Sequence, residues 1–370
     1  MTDLATTVTV IDACGRVRVP TLLMSDPGVG KSSLVRGLAT LTGVPCEVVL
    51  GSIREPADVA GLPVVGRDDQ VRLAPPAWAK RLCEAEGGYL LLDELTTTPP
   101  STQAALLTVA LERVVGETAL PDDVVVVAGA NPPDRAADGY DLAPPLANRF
   151  CHLEFNPSPD EWLDGMAVGW SAPPPSRAVS ADEGRVEAIK AQVLGFIRHR
   201  PNLLHAFPTD PASTGGAWPS RRTWSMLASA LAHVRDDDTA ARQALTFGLV
   251  GEGAGIEFLT WCAEADLPDP SAVVADPGVM DWTDRADRVW AVLMGVVALA
   301  SSQGTQAAWI AAWGPLVAAA EAGAADVAAA AARPLGRARP AKARIPAKVR
   351  DAFGPVLVAA GLSSEKEGAA

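Results

Sequence analysis

Histidine is rare in this chain. There are four in 370 residues, scattered so that they set up no metal-binding constellation. Cysteine is nearly as scarce. Cys14, Cys46, Cys83, Cys151 and Cys262 match no zinc or Cys-x-x-Cys spacing, and their odd number suits a reducing compartment. A basic excess is also missing: 31 Lys and Arg stand against 44 Asp and Glu, for a net charge of −13. That argues against a nucleic-acid binder over the whole surface, while leaving room for a local basic patch. The longest apolar run, Val289–Ala300, is too short to span a bilayer and follows Asp284, Arg285, Asp287 and Arg288. Met1–Asp3 opens without the basic region and apolar core of a secretory leader, so a cytoplasmic protein is expected. Aromatic residues make up only 5%.

What is present suffices for a folded protein. Hydrophobic residues are 48% and charged residues 20%, which allows a buried core and excludes wholesale disorder. The 32 glycines and 31 prolines fall short of a low-complexity composition. The length suggests two or three domains.

The first 156 residues alternate between two kinds of segment. Short β-rich apolar runs stand at Val17–Met24, Glu47–Leu50, Tyr89–Leu92, Val124–Ala128 and Phe150–Phe155, with helical patterns such as Ser33–Leu41 and Ser101–Glu112 between them. That order predicts an α/β fold, a parallel sheet with helices on both faces. Val124–Ala128 is apolar without alternation, as for a strand buried on both sides. After Asn156-Pro157-Ser158-Pro159 the texture turns all-helical. Ser180 and Glu183 read as a capping box ahead of an apolar face of Val186, Ile189, Val193, Phe196 and Ile197. Further helices are expected at Thr223–Val234, Thr239–Val250, Arg285–Ala300 and Thr305–Ala320. The expected domains are a core at 1–156, a helical lid at 157–270, an additional helical region at 271–332 and a basic Ala/Pro-rich tail at 333–370. Arg333–Arg350 holds seven basic residues and no acid; a solvated, mobile linker is the expectation, with a docking segment for an acidic partner as the other reading.

Asp26-Pro27-Gly28-Val29-Gly30-Lys31-Ser32-Ser33 lies between an apolar strand and a helical pattern, the context of a phosphate-binding loop. Gly28 and Gly30 let backbone N–H groups close around phosphate oxygens, and the helix start adds the positive end of its dipole. Lys31 would reach the β- and γ-phosphates, and the Ser32 hydroxyl would hold Mg²⁺. The strict pattern has Gly where this chain has Ser25, which is tolerable if its φ stays negative. About 60 residues on, the strand Tyr89–Leu92 ends in Asp93-Glu94. In enzymes with such a loop the first acid supports Mg²⁺ and the second polarises the attacking water.

The loop, Leu92-Asp93-Glu94, Ala128-Gly129-Ala130-Asn131-Pro132 and Leu146-Ala147-Asn148-Arg149-Phe150 together resemble an AAA+ ATPase of the MoxR type. Ile53–Pro63, Arg113–Pro121 and Trp218–Trp224 fit that subgroup, so the resemblance covers about residues 17–230. It implies that Asn131 is the sensor that orients water and γ-phosphate. Arg149 resembles the finger that reaches a neighbouring subunit's γ-phosphate. Arg222 resembles the second sensor, an Arg on the lid touching phosphate in its own subunit; the adjacent Arg221 leaves the register open, with Arg222 favoured. The resemblance further implies ATP with Mg²⁺, a head-to-tail ring of usually six subunits, and a chaperone-like role toward a partner, commonly a von Willebrand factor A domain protein. The alternative is a nucleic-acid-linked motor or restriction-type NTPase. That reading needs a basic, aromatic-lined channel, toward which only Arg198-His199-Arg200 and the tail point.

Overall fold

A computed structural model describes residues 2–65, 69–132, 139–140, 142–168, 172–265, 267–341, 343–349 and 352–353. The chain forms two compact units, Met1–Ser180 with His205–Ile256, and Ala181–Leu204 with Glu257–Ala370. Among the described residues the first unit has nine strands: β1 (Thr21–Met24), β2 (Cys46–Leu50), β3 (Leu62–Val65), β4 (Val71–Ala74), β5 (Gly88–Asp93), β6 (Val114–Val115), β7 (Thr118–Ala119), β8 (Val124–Ala130) and β9 (Cys151–Glu154). Five make one sheet in the order β2-β5-β8-β1-β9. Every pairing in it is parallel. The remaining strands pair as two antiparallel hairpins, β3–β4 and β6–β7.

The expected α/β fold with a parallel sheet is what forms, and its central strands are the apolar runs. β5 and β8 are buried along nearly their whole length, because helices cover both faces of a parallel sheet. The first apolar run is shorter than its composition suggests. Arg18 sits at φ 60° and pairing begins only at Thr21.

Among the described residues six helices of this unit precede or interleave with the strands, α1 (Leu4–Arg16), α2 (Lys31–Thr42), α3 (Pro56–Ala60), α4 (Ala77–Glu84), α5 (Pro100–Glu112) and α6 (Pro144–Ala147), and α7 (Pro159–Val168) follows β9. α1 has no counterpart in the sequence reading. Its Thr- and Val-rich stretch favours strand by propensity, yet it is capped by Asp3, whose Oδ1 accepts from Thr6 N at 2.6 Å. Two of its buried hydroxyls donate to carbonyls one turn back, Thr7 Oγ1 to Asp3 at 2.9 Å and Thr9 Oγ1 to Ala5 at 2.8 Å. After α8 (Glu183–His199), which belongs to the second unit, the first unit resumes with α9 (Arg221–Leu231) and α10 (Thr239–Val250).

The second unit is helical, with α8, the later part of α11 (Glu252–Ala265), α12 (Pro270–Ala275), α13 (Ala286–Gln303), α14 (Gln306–Glu321) and α15 (Ala325–Arg337). α8 is capped by Asp182, which accepts from Arg185 N at 2.8 Å. The Ser180–Glu183 capping box therefore does not form; Ser180 instead accepts from Arg16 Nη1 at 3.2 Å. The core gathers Val289, Leu293 and Val296 of α13 with Trp309 and Trp313 of α14 and Leu335 of α15. Ala343, Val349 and Phe353 join it. This corrects the expectation of a mobile linker: between its basic residues the segment carries enough apolar side chains to dock. Residues 354–362, which continue an apolar run from Phe353 in the sequence, lie outside the described residues. Among the described residues no helix is long and apolar enough to cross a membrane.

Candidate nucleotide site

Because the five strands run the same way, their C-terminal ends deliver three loops to one edge. β1 leads into the Gly-rich loop, β5 ends at Asp93, and β8 leads into Asn131. Gly28 and Gly30 take φ of 80° and 107°, and a Cβ built on either would meet nothing within 4 Å. The backbone demands glycine at both and leaves space in front of them. α2 starts directly after Gly30, so its unpaired N–H groups face the same space.

Lys31 is folded back over the loop. Its ammonium donates to Ser25 Oγ at 2.8 Å, to the Ser25 carbonyl at 3.1 Å and to Asn131 Oδ1 at 2.7 Å. Burial pulls its pKa below the ordinary lysine value, while Asp93 and Asp26 push it back up. Ser25 is not among the residues with positive φ, so a side chain is tolerated there. Its hydroxyl serves as a resting acceptor for Lys31.

The Ser32 hydroxyl donates to Asp93 Oδ2 at 2.6 Å. One hydroxyl beside one carboxylate is an all-oxygen donor set, hard enough for Mg²⁺ with waters completing its shell. Asp93 gets this close to α2 because β8 carries Gly129 opposite it. A Cβ at Gly129 would lie 2.5 Å from Asp93 Oδ1. Glu94 follows in the left-handed region at φ 59°, ψ 39°, a conformation costing a non-glycine residue about 1 kcal/mol or more. The bend turns its carboxylate onto the Ser52 hydroxyl, just beyond β2. Thr96 clamps Asn131 at both ends, its hydroxyl donating to the Asn131 carbonyl at 2.9 Å and accepting from Asn131 N at 3.2 Å.

The structure thus brings Asp26 to Ser33, Asp93, Glu94 and Asn131 to one edge, with Lys31–Asn131 and Ser32–Asp93 in direct contact. Sequence reasoning missed Gly129, Ser52 and Thr96. Gly129 had a signal, since an isolated glycine inside a strand pattern often marks a close approach. Beside the loop a cavity of about 810 Å³ is bounded by Gly28, Gly30, Ser33 and Gly37 on one side and by Phe155, Trp162 and Pro173 on another.

Arg149 and Arg222 lie elsewhere. Arg149 precedes β9, whose Cys151 pairs with Thr21 and Glu154 with Met24. It stands level with the residues before β1, while the Gly-rich loop begins after it. At about 3.3 Å per residue, Cys151 already stands roughly 13 Å short of Ser25 along the strand direction, more than an arginine side chain spans, and Arg149 precedes it in a turn. Its Nη1 donates to the Pro145 carbonyl at 2.7 Å, and its Nε is buried with no hydrogen-bond partner. Burial lowers its pKa, and the like charge of Arg222 lowers it further, against Glu112. Arg222, exposed in the first turn of α9, is therefore a neighbour of Arg149.

Residues 20–150 match the family model of the AAA domain, dynein-related subfamily. Loop, acids, Asn131 and Arg149 all fall inside that stretch. That match spans about a third of the chain, and the parallel sheet and the Gly-rich loop described above lie largely within it. Among solved structures, a provisionally assigned ATPase from Cytophaga hutchinsonii is 16% identical, with 68% of this chain and 77% of that chain covered and a TM-score of 0.37. No curated protein matches the chain.

Proposed function

We propose that the chain is an AAA+ ATPase of the MoxR type that hydrolyses ATP within a head-to-tail ring, six subunits by resemblance, and uses the work to remodel or help assemble a partner protein. The observation that carries the reading is the pair of contacts Lys31–Asn131 and Ser32–Asp93 at one sheet edge. Lys31 and the N–H groups around Gly28 and Gly30 bind the β- and γ-phosphates, with Lys31 exchanging Ser25 for phosphate oxygen. Ser32 and Asp93 would hold Mg²⁺, which when bound would supply charge that neutralises the phosphates. Asn131 orients the γ-phosphate and water. Glu94 takes the proton as the water attacks phosphorus, and ADP leaves with the broken bond's electron pair. The cavity beside the loop receives base and sugar.

Arg149 completes a neighbour's site, and Arg222, expected to touch phosphate in its own subunit, acts instead beside it, because the Asn148–Ser220 hydrogen bond ties the two segments together. Support comes from the place of Arg149 just before β9, at the end of the sheet opposite its own loop. A ring closed head to tail is the arrangement that brings the two edges of adjacent subunits together. Helices within residues 157–270 act as the lid, the location is the cytoplasm, and the partner class suggested by resemblance is a von Willebrand factor A domain protein.

An ATPase assay with Glu94→Gln and Lys31→Ala tests the proposal. Glu94→Gln is expected to bind ATP·Mg²⁺ and hydrolyse it at least ~100-fold more slowly. Lys31→Ala is expected to lose nucleotide binding. Quenching of Trp162 fluorescence on adding ATP reports filling of the cavity. Retained ATP affinity in Lys31→Ala would sink the assignment. Glu94→Gln, held in ATP, is also the bait for isolating the partner.

A further inference from the structure

Asn148 is buried, with only 4% exposure, and its amide is used at both ends. Nδ2 donates to the Trp218 carbonyl at 3.0 Å. Oδ1 accepts the Ser220 hydroxyl proton at 2.6 Å. Ser220, also 4% exposed, is the N-cap of α9. Its oxygen accepts from Thr223 N at 3.2 Å while its backbone N–H donates to Thr223 Oγ1 at 2.8 Å. Arg149 is the next residue after Asn148, and Arg222 is the second residue after Ser220. One buried amide thus joins the segment bearing one arginine to the helix start bearing the other.

We propose that Asn148 is a positioning residue for the two-arginine group, locking Arg149 and Arg222 into one unit presented to a neighbouring subunit's phosphate. The proposal rests on the reading of these arginines as acting across an interface. The Asn148–Ser220 contact brings the two arginine-bearing segments together, and like charges brought near each other repel, so the pair needs an anchor to hold one geometry. Arg149 is itself tied by Nη1 alone, with Nε unpaired. The anchor therefore has to lie in the backbone around it. An amide is the side chain that fits, because one arm must donate to a carbonyl and the other must accept from a hydroxyl. Aspartate would lack the donor, and leucine would lack both.

The test is ATP hydrolysis by Asn148→Ala and Ser220→Ala, with Ser220→Thr as the variant that keeps the hydroxyl. Both alanine variants should lower kcat by ~10- to 100-fold, the scale of a misplaced catalytic group. KM should stay within about twofold, because the subunit's own loop is untouched. Ser220→Thr should retain activity. Mixed with Glu94→Gln, Asn148→Ala should partly recover activity, since its own acids are intact and the neighbour lends ordered arginines. Mixed with Arg149→Ala it should recover none. Parental kcat in Asn148→Ala, or recovery on mixing with Arg149→Ala, would overturn the proposal. If Asn148→Ala does not fold, Ser220→Ala carries the same arms. A chain already lacking both arginines separates this inference from the reading beneath it. There Asn148→Ala should cause no further fall, whether the arginines work across an interface or within one subunit; an additional fall would show that Asn148 does not act through them. Failure of Arg149→Ala and Glu94→Gln to complement each other would sink the interface reading alone.

Discussion

Gly129 lacks a side chain where Asp93 needs the room. Gly129→Ala should push the carboxylate away from Ser32 and weaken Mg²⁺-dependent ATP binding by ~10- to 100-fold, the range for disturbing a metal's supporting shell. ATP titrations at varied Mg²⁺ measure it, and an unchanged Mg²⁺ dependence would refute the role. Asp93→Asn should show the same binding defect, whereas Glu94→Gln should bind normally and fail at turnover. Identical defects in those two would undo the division of labour between the acids. Lys31, Ser32, Asp93, Glu94 and Asn131 were legible because each sits in a local run, strand then loop, that sequence displays. Ser52 and Thr96 were not. Their roles arise from contacts between loops that only the strand order β2-β5-β8 makes adjacent.

At the level of elements, the buried strands were legible because five apolar runs of strand length alternate with helices. α1 was not, since its β-branched residues favour strand locally and only packing overrides that preference. The same limit applies beyond residue 333, where charge dominates the composition and a few apolar side chains decide the structure. Phe353 is buried to 1% and its ring lies 6.2 Å from that of Trp313. Phe353→Ala should therefore destabilise the second unit by about 3 kcal/mol or more, read as a lower denaturant midpoint by tryptophan fluorescence. ATP affinity should be unchanged, because the phosphate loop belongs to the first unit. A midpoint equal to the parent's would mean that the segment is not docked in solution.

For the whole molecule, the β1–β9 register matters most, because it fixes where the arginines lie relative to the loop. On the proposed reading, Arg149→Ala should bind ATP normally and lose a factor of ~10³ in turnover. Were Arg149 to act on its own subunit, that defect would persist in every mixture with Glu94→Gln. A kinetic consequence follows from the same geometry. A solitary protomer owns every chemical group the reaction requires and still has no finished catalyst, so turnover per protein molecule becomes a function of protein concentration. Diluting the enzyme should lower its specific activity, with a rate order above one in total chain, until assembly by ATP or by a partner restores it. Abundance itself would then act as the throttle: a chain made in small amounts stays idle with nucleotide bound, and a modest rise in its level switches hydrolysis on.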